Sequence, residues 1–276
     1  MEEWGVRTEY NEFWTNRVRH HESTYYLAQG WHFGYYTKPT ECVHKARMNM
    51  NNYINRLLPS TENNLTVLDA GCGVGSTLVF LAKKHPNFQL YGVTLAPAEV
   101  QFARELSKER NLLNTEVLER TYNDTKFPNE YFDCVYALES FCYSDDIQKT
   151  IKEMYRILKP RGGKLIILDV LAQKSMGENC KRKTLTTITS CLKEEGFTAL
   201  RIRNLSKRGR VRYRQIYAVI LWYSFRHLKK KYIEKIRDNT SQSQGYLGKY
   251  TVMSVIKVLS TFLSKPNFYS ITSVKK

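Results

Sequence analysis

Asp69 stands two residues ahead of Gly71-Cys72-Gly73-Val74-Gly75, at the end of the apolar run Thr66-Val67-Leu68. A helical stretch, Ser76 to Lys84, follows at once. A buried strand that enters a glycine turn and leaves as a helix lets backbone N–H groups and a helix N-terminus approach a ligand closely. Dinucleotide loops read G-x-G-x-x-G, with an acid roughly 20 residues on for the ribose. Here the spacing is G-x-G-x-G, and the acid lies beneath the turn. A carboxylate there repels a pyrophosphate and suits a cationic or zwitterionic ligand tail. The plain structural alternative is a glycine turn that holds no ligand.

The elements that must position this turn are regular. Phe88–Leu95 reads as a second strand and Glu99–Glu109 as a helix. Thr115–Leu118 is a third strand, followed by Thr121-Tyr122, and Phe132–Ser140 a fourth, with Leu138 and Glu139 at its end. Helix Ile147–Leu158 leads through Lys159-Pro160-Arg161-Gly162-Gly163 to a fifth strand, Lys164–Val170. Strands alternating with helices predict a parallel sheet covered on both faces, with ligands at its carboxyl edge.

The segment VLDAGCGVG resembles the first motif, D-x-G-x-G-x-G, of the class I S-adenosylmethionine-dependent methyltransferases. GVTLAP, F-D-x-V at Phe132–Val135 and the L-K-P-x-G-G run at Leu158–Gly163 extend the resemblance from about Leu65 to Val170. GVTLAP is similar to one branch in particular, the sterol, tocopherol and prenyl diphosphate methyltransferases and cyclopropane fatty acid synthases. The implied fold is α/β, a doubly wound, seven-stranded, mostly parallel sheet, Rossmann-like, with helical N-terminal and C-terminal lid elements. The implied cofactor is S-adenosyl-L-methionine, contacted by Asp69, Gly71, Cys72, Gly73, Gly75, Thr94, Leu95, Glu99, Thr121, Tyr122 and Leu138. Glu99 stands where the branch has Gln, and Thr121 where many members have an acid. Residues 139–145, ESFCYSD, match E-S-x-x-[HY]-x-D, with Cys142 and Tyr143 where O- and N-methylating relatives carry a histidine base. That substitution favours methylation of carbon, with Glu139 as proton acceptor and Tyr143 orienting the acceptor or stabilising charge. The run YYLAQGWHFGYY at residues 25–36 resembles the aromatic segment lying over the sulfonium, which assigns Tyr26, His32 and Tyr35 to the pocket. Packing of an N-terminal lid is the bland reading of the same aromatics, and first-turn dipole complementation that of Glu99.

With 276 residues the chain can bury one substantial core. The expected division is an N-terminal helical lid, 1–58, and a methyltransferase domain, 59–276, with a basic helical insertion at about 205–265. No secretory h-region is evident in MEEWGVRTEYNEFW, and the longest apolar run, Ile216–Trp222, is far short of the roughly 20 residues that span a bilayer. Six cysteines without C-x-x-C pairing read as reduced thiols of a cytoplasmic protein, and the six histidines lack metal-ligand spacing, so no metal site is expected.

The net charge of +17 is confined to one end: from Arg201 to Lys276, 18 Lys/Arg stand against two acids. Arg212–Arg237 reads as a basic amphipathic helix, Gly248–Leu263 as a second helix, and Asn267–Val274 as a strand antiparallel to the sixth, Ala199–Asn204. The charge suits an anionic substrate, peripheral contact with an anionic membrane through 205–237, or a solvated face; nucleic acid ranks last. The expected function is methylation of a small apolar molecule of isoprenoid, lipid or polyketide character, C-methylation being favoured over O- or N-methylation. A prenyl diphosphate C-methyltransferase and a non-catalytic cofactor-binding or membrane-docking protein are the alternatives.

Overall fold

The computed structural model describes residues 32–60, 64–172, 183–208 and 267–276. In chain order the elements are α1 (Val43–Leu57), β1 (Thr66–Ala70), α2 (Ser76–Lys84), β2 (Gln89–Thr94), α3 (Pro97–Glu109), β3 (Thr115–Glu119) and β4 (Cys134–Leu138). A 3-10 turn (Phe141–Tyr143), α4 (Ile147–Ile157), β5 (Lys164–Leu171), α5 (Leu185–Glu194), β6 (Phe197–Asn204) and β7 (Asn267–Lys275) follow. The strands form one sheet ordered β3-β2-β1-β4-β5-β7-β6, parallel except for β7, which runs antiparallel to both neighbours. This is the doubly wound seven-stranded sheet the motifs imply.

The central strands are apolar runs because helices cover both their faces; Val67 to Ala70, Cys134 to Ala137 and Leu165 to Leu171 are all buried. Helix α4 shows the matching logic. Its N-cap Asp146 accepts from the Lys149 N–H (3.0 Å), and Ile147, Ile151, Met154 and Ile157 form its buried stripe. The expected β6–β7 pairing is present, and β7 in addition lies between β5 and β6. Burial explains the order: β7 is covered along most of its length, whereas β6 exposes Arg201 and Arg203, charges that suit an edge strand.

Two motif segments work at the opposite edge from the glycine turn. Asp133 Oδ2 accepts from the Thr66 N–H (2.8 Å), and Lys159 Nζ donates to both Asp133 oxygens (2.8 and 2.9 Å). The F-D and K-P residues thus tie the starts of β1 and β4 to the end of α4. Helix α1, the described part of the expected lid, shares the main core: Met50, Tyr53 and Ile54 pack in one cluster with Val67, Leu78 and Leu81. The segment 209–266, which holds both the basic helix and the second helix expected from the sequence, lies outside the described residues, as do residues 1–31 with Tyr26.

Gly163 follows the Lys159 corner so closely that a Cβ there would meet the Lys159 carbonyl oxygen at 2.3 Å and its nitrogen at 2.9 Å. Gly163→Ala is expected to cost about 2 kcal/mol or more in stability, because the obstacle is backbone that cannot rotate away. Urea unfolding of the variant measures it, and a loss under about 0.5 kcal/mol contradicts the packing described.

Candidate cofactor and acceptor site

The sheet order reverses between β1 and β4, and ligands of open α/β sheets bind at the carboxyl side of such a switch point. Gly71, Gly73 and Gly75 all take positive φ, +92°, +53° and +76°. The turn is pinned to β2 by the Gly71 and Cys72 N–H groups, which donate to the Val93 carbonyl (both 2.9 Å). Across the switch point, a Cβ on Gly71 would stand 2.4 Å from Ser140 Cβ and 3.6 Å from the Tyr122 ring. Ser140 Oγ donates to the Ala70 carbonyl (2.6 Å), and Tyr122 OH donates to the Ser140 carbonyl (3.0 Å). The loops after β1, β3 and β4 therefore meet at one place.

Two buried acids line this region. Asp69 Oδ2 accepts from the buried Tyr136 hydroxyl (2.8 Å). Burial pushes the Asp69 carboxyl up to about 7, with the Tyr136 hydrogen bond opposing. Glu99, fully buried on the first turn of α3, accepts from the Thr94 hydroxyl (2.5 Å). Its Oε1 lies 3.6 Å from where a Gly73 Cβ would sit, so the carboxylate stands beside the glycine turn. The Cys72 thiol packs back on Gly92 of β2, where a Cβ would meet Sγ at 2.8 Å. Burial, then the charges of Asp69 and Glu99, push that thiol well up, so it stays protonated.

Sequence reasoning gathered Asp69, the three glycines, Cys72, Thr94, Glu99, Tyr122, Leu138 and Glu139 along the carboxyl edges of β1 to β4, and the structure brings them there. Thr121 follows β3, where the Arg120 N–H donates to the Thr94 carbonyl (3.1 Å) and sets this loop beside the end of β2. Leu95, next to Thr94, is 37% exposed. Tyr143 closes the 3-10 turn after β4 with 75% of its surface exposed. Tyr35 stacks on Tyr53 of α1 (centroids 5.2 Å apart), and the Arg208 guanidinium lies over the same ring. His32 is buried with its ring beside Asn51, and among the described residues neither ring nitrogen is within full hydrogen-bond geometry of a partner. Burial and then the Arg47 charge push its pKa down to about 3, with Asn51 opposing.

Sequence reasoning missed Asp169 and the function of Ser140. Asp169 is buried near the end of β5, and its Oδ2 accepts from the Cys142 N–H (2.8 Å), so it holds the turn that follows Glu139. Burial raises its carboxyl to about 6, with the hydrogen bond from the Cys142 N–H the first of several opposing it. The signal was available: one charge inside KLIILDVL, in a strand otherwise apolar after its first residue, marks a buried polar anchor. Among the described residues no cluster of His, Cys, Asp or Glu could hold a metal, and no helix is long and apolar enough to cross a membrane.

The geometry fits an adenosyl amino-acid ligand. Gly73, at φ +53°, brings the turn's backbone beside Glu99, the buried Glu99 and Thr94 suit ribose hydroxyls, and the acid under the turn suits an ammonium group. Residues 67–162 match a family described as a methyltransferase domain. An O-methyltransferase of Pyrenophora dematioidea is 31% identical over 147 residues, covering 51% of this chain and 53% of that protein. A sterol 4-C-methyltransferase of Caenorhabditis elegans is 31% identical over 127 residues, 45% of this chain and 37% of its own length. The chain therefore spans about half of the first relative and little more than a third of the second. Among solved structures, the [4+2]-cyclase SpnF superposes with a TM-score of 0.73 at 18% identity, covering 98% of this chain and 94% of its own. A geranyl diphosphate C-methyltransferase from Streptomyces coelicolor A3(2) superposes at 0.70 with 15% identity, covering 98% of both chains. These two likenesses concern the fold. The family match thus falls on the segment that carries the motifs, inside a sheet of the order those motifs imply. The sequence relatives include a sterol 4-C-methyltransferase and a tocopherol O-methyltransferase, enzyme types of the branch that GVTLAP resembles.

The pKa shifts of His32 and Asp69 carry opposite signs for stability. His32, lowered, contributes stability that is present above about pH 6.5 and is lost as pH falls toward 3. Asp69, raised, contributes stability that is present below about pH 3.8 and is lost as pH rises toward 7. His32→Gln is expected to remove the first dependence and Asp69→Asn the second, each with a limiting slope of about 1.4 kcal/mol per pH unit. Urea midpoints of cofactor-free protein from pH 4 to 8 test this; slopes equal to wild type contradict it.

Proposed function

We propose that the protein is an S-adenosylmethionine-dependent methyltransferase acting on a small apolar acceptor of isoprenoid, lipid or polyketide character, with carbon as the favoured methyl-accepting atom. The observation that carries this reading is the pair of buried acids, Asp69 and Glu99, set beside a positive-φ glycine turn at the switch point. When bound, S-adenosylmethionine supplies an electrophilic methyl group on a positively charged sulfur. Asp69 neutralises the ligand's ammonium group, and ligand charge in turn favours the ionised carboxylate that burial disfavours. Glu99 and Thr94 take the ribose hydroxyls, while Tyr122 and Thr121 border the adenine. Alignment of the reacting atoms and exclusion of water supply much of the acceleration in a displacement of this type.

Glu139 takes the proton released after methylation of a carbon–carbon double bond, a role supported by its place at the end of β4 beside the glycine turn. Tyr143 orients the acceptor. Cys142 lacks the basicity of the histidine that O-methylation uses at neutral pH. The relatives include both O- and C-methylating enzymes, so the favoured atom rests on these side chains. A prenyl diphosphate acceptor is the second reading, favoured by the +16 balance after residue 200, which would concentrate an anionic substrate at the protein.

Purified protein with labelled cofactor is expected to label at least one member of a panel of isoprenoid, prenyl diphosphate and lipid acceptors. With that acceptor, Glu139→Gln is expected to lower kcat by roughly 100-fold or more while calorimetry records unchanged affinity for S-adenosylhomocysteine. Unchanged kcat removes Glu139 from proton transfer. Binding of S-adenosylhomocysteine without transfer to any acceptor favours a cofactor-binding protein that lacks the chemistry.

A further inference from the structure

The residues just before α1 form a strap that the sequence motif does not explain. Residues 33–36 have no regular secondary structure, yet their backbone is tied on several sides. The Phe33 N–H donates to Glu139 Oε1 (2.8 Å), the Tyr35 N–H to the Ala46 carbonyl (2.8 Å), and the Tyr36 N–H to the Arg208 carbonyl (3.2 Å). The Thr37 N–H donates to Glu41 Oε2 (2.7 Å), and Arg208 Nη1 donates to the Thr37 carbonyl (2.8 Å). Gly34 has φ +87°, and a Cβ there would lie 3.0 Å from the Ala46 backbone, so the strap lies flat on α1 only because this position is glycine. Of these anchors, only Glu139 belongs to the sheet edge that carries the glycine turn. It reaches the strap across 106 residues of sequence.

Glu139 has a backbone built for this reach. Its φ is +53°, a left-handed conformation that side-chain-bearing residues hold only where their surroundings impose it. The Glu139 N–H donates to the Leu168 carbonyl (2.8 Å), and the turn that follows is held by Asp169 through the Cys142 N–H. β4 thus ends in a kink from which the Glu139 carboxylate meets the Phe33 amide. A carboxylate accepting from a backbone N–H is among the stronger hydrogen bonds available to a protein.

We propose that Glu139 is a positioning residue that seats the strap 32–37 on the active edge of the sheet, through the Phe33 amide. The same side chain then joins closure of the site to its chemistry. That second statement rests on the methyltransferase reading; the seating does not. Arg208, bound to the strap at Tyr36 and Thr37, makes the strap a bridge from the end of β4 to the segment that follows β6.

Hydrogen–deuterium exchange of the full-length, ligand-free protein, resolved at Phe33, tests the seating. Glu139→Gly is the informative variant, because glycine adopts φ +53° without strain and folding is preserved. It is expected to speed exchange at Phe33 by about tenfold or more, while amides of α4 keep their protection. Glu139→Gln keeps an oxygen acceptor at the same reach and is expected to restore protection to within about threefold of wild type. Equal exchange at Phe33 in wild type and Glu139→Gly overturns the proposal. So does failure of the Gln variant to protect Phe33 better than the Gly variant. Titration of wild type with S-adenosylhomocysteine is run in parallel: absence of heat sinks the cofactor reading and leaves the exchange result to decide the seating.

Discussion

The site depends on how closely the β1–α2 turn lies against the end of β4. Gly71 approaches Ser140 at a distance that admits no side chain, and the Ser140 hydroxyl closes the gap by donating to the Ala70 carbonyl. At this point the chain leaves β1 toward β2 on one side, while β4 pairs on the other. The crevice between the diverging loops follows from that topology. Tyr122 and the kinked Glu139 take their positions from the same contact, since each belongs to a loop that meets the turn.

The electrostatics of this edge run against those of the chain. The protein as a whole is strongly basic, yet the carboxyl edge of the sheet carries Asp69, Glu99 and Asp169, all buried. Burial raises the Asp69 and Asp169 carboxyls toward neutrality and keeps the Cys72 thiol protonated. A site of that kind gains most from a ligand that brings its own positive charge, because the ligand then relieves a cost that folding alone leaves standing. Structural neighbours at 15–18% identity include a cyclase as well as methyltransferases, so the fold by itself does not select the chemistry.

Motif resemblance gathered residues at one edge of the sheet more readily than it foresaw the partners of individual side chains. The glycine turn, Thr94, Glu99 and Glu139 were legible because strand ends in a parallel sheet are forced to one edge. The F-D and K-P segments looked equally diagnostic, yet Asp133 and Lys159 form an ion pair at the far edge that ties β1, β4 and α4 together. Tyr35, assigned to the pocket from its aromatic setting, stacks on Tyr53 of α1, a partner that no local pattern announces. The same limit hid Asp169, whose value lies in one backbone N–H contributed by a different loop.

The amino-acid sequence by itself determined the element types, the doubly wound class and the residues at the ligand edge. Those follow from local periodicity, glycine conformational freedom and the one-way direction of parallel strands. Tertiary structure alone decided that β7 fills the place between β5 and β6, that Cys72 turns back on Gly92, and that Glu139 holds the Phe33 amide. Each of these depends on a contact between segments distant along the chain, and hydrogen-bond geometry and packing density select such partners only once the core has assembled.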